Sequence, residues 1–308
     1  MKALVAASYG PLDELAVREV PAPAPGAGQV LVRVRAAGLN PLDLKLATGV
    51  MREVMPVEHP FTLGVDAAGV VEAVGAGVTR FAPGDEVVAL TFPVGAAAEY
   101  TVVADGPTIT HRPAGLSAAR AAALPTPLLM AAALADSLKV GAGQDVLVLG
   151  ADGAVGALFL QLVADSGARV IATASPTTAA DVRALGVEEV VDYTTTDVVA
   201  HTLNLRPDGV DVAVDLVNAG PGLAGTAAAV RENGLLVSTL GGPPAFDRGV
   251  TASYLGVEEG FHRFADLVEA AAAGRFDYQV REYPFAEATK AVTEFAGRNS
   301  RVRTVVTF

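Results

Sequence analysis

Near the middle of the chain, Val146-Leu-Val-Leu-Gly150-Ala-Asp-Gly153-Ala-Val-Gly156 precedes Ala168-Arg-Val-Ile-Ala-Thr-Ala-Ser175. The run reads as a buried strand, a glycine-spaced turn, a helix and a second buried strand. That is the opening unit of a dinucleotide-binding domain with a doubly wound parallel sheet. Glycines at the turn let the backbone turn sharply and approach a diphosphate closely. The helix that follows aims unpaired N–H groups at the phosphates. In a chain with 32 glycines the spacing alone is a weak signal. The strand before it, the helix after it and the second strand at the right distance carry the assignment.

The rest of the chain supports two parts with different rhythms. In the first third, Val30–Ala36 alternates apolar and charged residues as a half-buried strand does, and Ala68–Val74 and Glu86–Leu90 are further strands separated by glycine and proline turns. Ser117 is an N-cap for a helix to Ala123, and a second helix covers Leu128–Leu138. Strands at 146–149, 169–173, 189–191, 210–216 and 235–240 then alternate with helices, the pattern of a parallel sheet with right-handed crossovers. Helices near 258–273 and 285–296 and strands at 278–283 and 303–308 close the chain. We expect a β-rich domain at 1–115 completed by 275–308, a nucleotide-binding domain at 116–274, and a ligand cleft between them.

Composition excludes several classes. The 308 residues carry a net charge of -12 with no basic block, so nucleic acid is not expected as a partner. There is no cysteine, which removes disulfides, thiolate metal sites and thiol nucleophiles, and the four histidines lack ligand spacing. No apolar run has the length of a membrane span, and a cytoplasmic protein acting on a small molecule is expected.

The expected cofactor contacts begin with the turn itself, Gly150, Asp152, Gly153, Ala154, Val155 and Gly156. They continue with Thr173 and Ser175 at the end of the second strand, and with Val217, Asn218, Leu240 and Gly241 at the ends of two later ones. A carboxylate ending the second strand would bind the ribose 2′-hydroxyl of NAD and repel a 2′-phosphate. Residues 173–178 contain none, only neutral hydroxyls, which favours NADPH.

The chain resembles the zinc-independent medium-chain dehydrogenase/reductases of the quinone-oxidoreductase (zeta-crystallin-like) branch. The resemblance rests on Asn40-Pro41-Leu-Asp43, on Leu63-Gly64-Val-Asp66-Ala-Ala-Gly69 leading to Gly75, on Phe81-Ala-Pro-Gly84-Asp85, on Ala97-Ala-Glu99-Tyr100, on Ala122-Ala-Leu-Pro125, and on the glycine turn, in that order. It implies a GroES-like catalytic domain beside a Rossmann domain, bound NADPH, a homodimer formed through Gly249–Tyr254, and hydride transfer to a quinone or α,β-unsaturated carbonyl without a metal. Asn40 stands near a position that is cysteine in zinc-dependent relatives, and Val65-Asp66 replaces their His-Glu. The resemblance also places Asp43, Met130 and Tyr193 against the cofactor. The chain departs from the pattern at Ala154 in the turn, at Met130 where a threonine is usual, and at Ala179 where a lysine is usual.

Negative charge builds on the acceptor oxygen during such a transfer, and a donor there supplies rate. Asn40 and Lys45 are the catalytic candidates on the substrate side, each with a plain structural alternative: a turn anchor before Pro41 for the first, and a partner for Asp43 or a solvent-facing position for the second. Asp66 is expected to organise backbone or Lys45 rather than to transfer a proton. Two further readings stay open: an enoyl-thioester or natural-product tailoring reductase, and an NADPH-binding protein with little catalysis.

Overall fold

A computed structural model describes residues 1–297 and 302–308. The chain forms two compact units, Met1–Thr126 with Phe261–Phe308, and Pro127–Gly260. The junctions fall later and earlier in sequence than expected. The short helix Ala118–Ala122 packs on the strands Gln29–Gly38 and Asp66–Val74, and the helix Phe264–Ala272 packs on Ile109–His111; both therefore belong to the first unit.

In the second unit a sheet of six parallel strands uses Asp145–Leu149, Arg169–Ala174, Glu189–Asp192, Val210–Asp215, Val230–Ser238 and Thr251–Tyr254. Numbered in that order within the unit, they lie 3-2-1-4-5-6 across the sheet, the order of a Rossmann fold. The first strand is apolar and buried through Val148 because it sits mid-sheet and is covered on both faces. Its neighbours are the second and fourth strands, so the topological switch lies between Leu149 and Asp215. The helix Ala154–Val163 follows the glycine turn and buries Ala157, Leu158, Phe159, Leu160 and Val163. The outer strand Thr251–Tyr254 is partly covered on its free side, where Ala245 bridges to Thr251 and the Ala252 N–H donates to the Pro244 carbonyl.

The first unit is mostly β-structure. One sheet contains Val280–Pro284, Arg303–Thr307, Gln29–Gly38, Asp66–Val74, Glu86–Leu90 and Ile109–His111 in spatial order, with Tyr100–Ala104 also pairing to Gln29–Gly38; a smaller sheet joins Ala16–Glu19, Lys2–Ala6 and Phe61–Thr62. Arg303–Thr307 runs antiparallel to Gln29–Gly38, so the end of the chain completes this unit. A core of Leu4, Leu39, Leu46, Leu63, Val292 and Val306 fills the space beneath the helices at Pro41–Ala47 and Ala288–Ala296.

Local structure departs from the sequence expectation mainly where helices begin. The helix expected over 128–138 starts at Pro125, because Pro125 and Pro127 fall in its first turn, where proline costs no hydrogen bond. The helix expected over 258–273 is 3₁₀ over Val257–Arg263 and α only from Phe264. Ser117 caps its helix as expected, its hydroxyl accepting the Arg120 N–H at 3.2 Å.

Two glycines fix the turn between the first strand and its helix. Gly150 has φ +80°, a conformation that side chains rarely adopt. A Cβ on Gly156 would lie 2.3 Å from the Gly150 carbonyl oxygen and 2.7 Å from the Ala151 Cα, both backbone atoms that cannot swing aside. Gly156→Ala is therefore expected to cost roughly 1–3 kcal/mol of stability, read as a lower urea midpoint of the Rossmann unit. An unchanged midpoint would show that the turn has room the structure denies it.

Candidate active site

The glycine turn leaves its helix without a cap. Gly153 has an extended backbone and no side chain to accept the first-turn amides. The first i→i−4 bond runs from the Ala157 N–H to the Gly153 carbonyl at 2.9 Å, so the N–H groups of Ala154, Val155 and Gly156 remain for an external acceptor. A diphosphate suits them: its oxygens accept these donors and its charge meets the positive end of the helix. The Thr173 hydroxyl accepts the Gly150 N–H at 3.0 Å and ties the turn to the second strand. The donor set thus fits the diphosphate of a nicotinamide dinucleotide.

The far side of the turn meets the fourth strand. Asp215, fully buried at its end, accepts four hydrogen bonds: the N–H groups of Val217 (2.9 Å) and Asn218 (2.8 Å), the Asn218 side-chain amide (2.9 Å) and the Thr226 hydroxyl (2.6 Å). This bend holds the Val217 side chain beside Gly150, where a Cβ on the glycine would come within 3.0 Å of Val217 Cγ2. Val217 is nonetheless 59% exposed, an apolar side chain at the switch point of the sheet. The neighbouring loop is tied in by the Gly220 N–H donating to the Gly241 carbonyl at 2.8 Å, and the Leu240 N–H donates to the Ser238 hydroxyl at 3.1 Å.

The third edge is the loop after the second strand. Asp152, 3% exposed, accepts the Ser175 N–H at 3.2 Å and the Thr178 hydroxyl at 2.8 Å on one carboxylate oxygen. The 175–178 loop is hydrogen-bonded to the turn and the 215–218 bend packs beside it through Val217, so the three form one rim. Of the expected cofactor residues, Gly150, Asp152, Thr173, Ser175, Val217, Asn218 and Gly241 join this rim. Tyr193 is exposed after the third strand, and Met130 is half-buried on the helix Pro125–Leu138. Sequence reasoning passed over Asp215 and Thr178. The signal for Asp215 was present, an aspartate ending a strand three residues before an asparagine, which favours an Asx-type turn.

In the first unit the other candidates meet in a buried polar cluster. The Asn40 side-chain amide donates to Asp66 at 2.9 Å, and its carbonyl accepts from Arg303 at 2.8 Å. Arg303 also donates to the Ala123 carbonyl at 2.9 Å and stands 3.6 Å from Asp66. Asp66 accepts the N–H and hydroxyl of Thr126 at 3.0 and 2.6 Å, holding the start of the helix Pro125–Leu138. That bears out its expected role on the backbone. Asp43 reaches back to accept the Asn40 N–H at 2.7 Å, and its other oxygen, Oδ1, has no hydrogen-bond partner among the described residues. Asp43 therefore lies in this cluster of the first unit. Lys45 is half-buried on the following turn and makes no ion pair with Asp43.

Burial dominates the electrostatics here. It pushes the Asp43 carboxyl up to about 7 and the Asp66 carboxyl up to about 6; Arg303 opposes the shift in both, and hydrogen bonds from Asn40 and Thr126 help it. The Arg303 guanidinium is lowered by the same desolvation. Among the described residues no group of three or more histidine or acidic side chains could hold a metal ion.

Comparison with known proteins agrees with this architecture. Residues 26–113 match the family model of the alcohol dehydrogenase GroES-like domain, and residues 185–306 match the model described as zinc-binding dehydrogenase. A chloroplastic quinone-oxidoreductase of Triphysaria versicolor is 40% identical over 58% of this chain and 56% of its own length. A chloroplast envelope quinone oxidoreductase homolog of Arabidopsis thaliana is 36% identical over 74% of this chain and 70% of its own. A chloroplastic NADPH-dependent alkenal/one oxidoreductase of the same plant is 34% identical over 82% and 66%. The chain thus spans little more than half of the first of these relatives.

Among solved structures, a quinone oxidoreductase of Pseudomonas syringae pv. tomato superposes with a TM-score of 0.89 at 29% identity, covering 100% of this chain and 99% of that one. A mycobacterial protein complexed with NADPH gives 0.86 at 27%, covering 100% of both. The chain belongs to the medium-chain dehydrogenase/reductase family, in its zinc-independent quinone-oxidoreductase branch. The description zinc-binding attaches to the family model, not to residues here, since the chain has no cysteine.

The raised carboxyl of Asp43 has a definite sign. Its folded-state pKa of about 7 lies above the ordinary 3.8, so its contribution to stability is full below pH 4 and lost as the pH rises through 7. Asp43→Asn keeps an acceptor for the Asn40 N–H and removes the buried charge. We predict that the variant is more stable than the parent at pH 8, by about 1 kcal/mol or more, and that this advantage shrinks toward pH 5. Equal advantage at both pH values in urea unfolding would contradict the buried ionisation.

Proposed function

We propose that this protein is an NADPH-dependent oxidoreductase that reduces quinones or α,β-unsaturated carbonyls without a metal ion. The observation that carries the proposal is the uncapped helix start at Ala154–Gly156, set between a threonine-tethered glycine turn and an apolar side chain, Val217, at the switch point. Relatives named for quinones and alkenals support the acceptor class, and a relative solved with NADPH supports the cofactor.

When bound, NADPH supplies the hydride. The residues of this chain do the rest. The turn amides take the diphosphate, and Thr173 keeps the turn against the sheet. Asp215 fixes the bend that carries Val217 and Asn218, so that an apolar surface and an amide flank the ring end of the site. Acceptors conjugated to a carbonyl need only placement and a donor for the developing oxyanion.

Lys45 takes the donor role in this reading, because the amide and carbonyl of Asn40 are already engaged by Asp66 and Arg303. Asn40 acts as a positioning residue instead. A homodimer, with the outer strand Thr251–Tyr254 at its interface, and a cytoplasmic location complete the proposal. The strand's place at the sheet edge supports the first, and the acidic, cysteine-free composition supports the second.

A second reading, a protein that binds NADPH with little catalysis, is favoured by the engagement of Asn40. The experiment is NADPH oxidation followed by absorbance against a panel of quinones and 2-alkenals. Turnover is expected, with kcat/KM reduced about tenfold to a hundredfold in Lys45→Ala at unchanged unfolding midpoint. Saturable NADPH binding with no turnover on any acceptor would leave the binding protein. Turnover unaffected in Lys45→Ala would remove that lysine from the mechanism.

A further inference from the structure

The end of the second Rossmann strand is where the adenosine ribose is read in this fold. Residues 173–178 carry no carboxylate of their own. The fold brings one from elsewhere. Asp152, two residues into the glycine turn, is 3% exposed and accepts both the Ser175 N–H (3.2 Å) and the Thr178 hydroxyl (2.8 Å). The hydroxyls of the loop are bonded to one another as well. The Ser175 oxygen lies 2.9 Å from the Thr177 hydroxyl oxygen and 2.8 Å from that of Thr178. Donors that a 2′-phosphate would use are therefore already engaged, in a chain that ends on a negative charge.

The sequence offers little to offset that charge. Between Gly150 and Val182 the sole cationic residue is Arg169, at the opposite end of its strand and paired with Asp145 at 2.7 Å. Arg183 is exposed on the helix Ala179–Ala184. A carboxylate at this edge is the natural acceptor for a ribose 2′-hydroxyl and a repulsive neighbour for a phosphate dianion.

We propose that Asp152, reaching from the glycine turn to Ser175 and Thr178, sets the choice between phosphorylated and unphosphorylated nicotinamide cofactor and holds it near parity. The proposal deepens the NADPH-binding reading above and rests on it. Asp152 both fixes the 175–178 loop and supplies the charge. These two roles separate cleanly: loss of the loop weakens both cofactors together, whereas loss of the charge acts on the 2′-phosphate alone.

The test is titration of the intact protein with NADPH and with NADH, followed by cofactor fluorescence, for the parent, Asp152→Asn and Asp152→Ser. The parent is expected to bind the two within about tenfold of each other. Asp152→Asn, which retains an acceptor for the Ser175 N–H, is expected to tighten NADPH about tenfold while NADH changes less than about threefold. Asp152→Ser is expected to shift the ratio in the same direction, even where both affinities fall. A Kd ratio unchanged in both variants, or a parent that prefers NADPH a hundredfold, would overturn the role of Asp152 and leave the oxidoreductase reading standing. A parent that binds neither cofactor would overturn that reading, and this inference with it.

Discussion

The N–H groups of Ala154, Val155 and Gly156 open a helix that nothing in its own unit caps. At two other helix starts in this chain a serine or aspartate side chain accepts a first-turn amide. Ser117 caps one helix and Asp197 another. At residue 153 a glycine stands instead, and the surrounding residues keep that end open rather than fill it. Gly156 lets the helix start pack against the Gly150 carbonyl, Thr173 holds Gly150 to the neighbouring strand, and Asp215 sets the bend that faces them. The arrangement stores unsatisfied donors at a sheet edge that the strand order makes a ligand crevice. Remove the acceptor and these groups depend on water; bring an anion and they all gain at once.

The first unit solves a different problem. Its buried cluster holds two carboxylates, one guanidinium, an amide and a threonine, all drawn from separate parts of the chain. Buried charges of this kind contribute little net stability, but each left without its partner would be costly. Asn40 and Arg303 are the links, and the Asp66 carboxylate holds the start of the helix Pro125–Leu138.

Much of this was legible in the sequence. The strand–turn–helix–strand run fixed the Rossmann unit because hydrophobic periodicity and glycine placement are local properties, and the observed strand order agrees with the alternation read from the chain. The GroES-like unit was readable through ordered motifs rather than through periodicity. What remained hidden were partnerships across long separations. Arg303 meets Asn40 from 263 positions away, and no spacing rule connects them. Asp152 reads from sequence as one more turn residue; only folding shows it serving the 175–178 loop, 23 positions on. Residues 173–178 carry no carboxylate, yet the fold brings that of Asp152 to them. The start of the helix at Pro125 was obscured because proline signals a break except in a first turn.

The central claim concerns three backbone amides, and hydrogen exchange observes them directly. In the free protein the amides of Ala154, Val155 and Gly156 should exchange rapidly, having no acceptor, while that of Ala157 is protected. Saturating NADPH should slow all three, on the order of tenfold or more, with Gly150 following. Slowing confined to other segments, or none at saturation, would contradict the account.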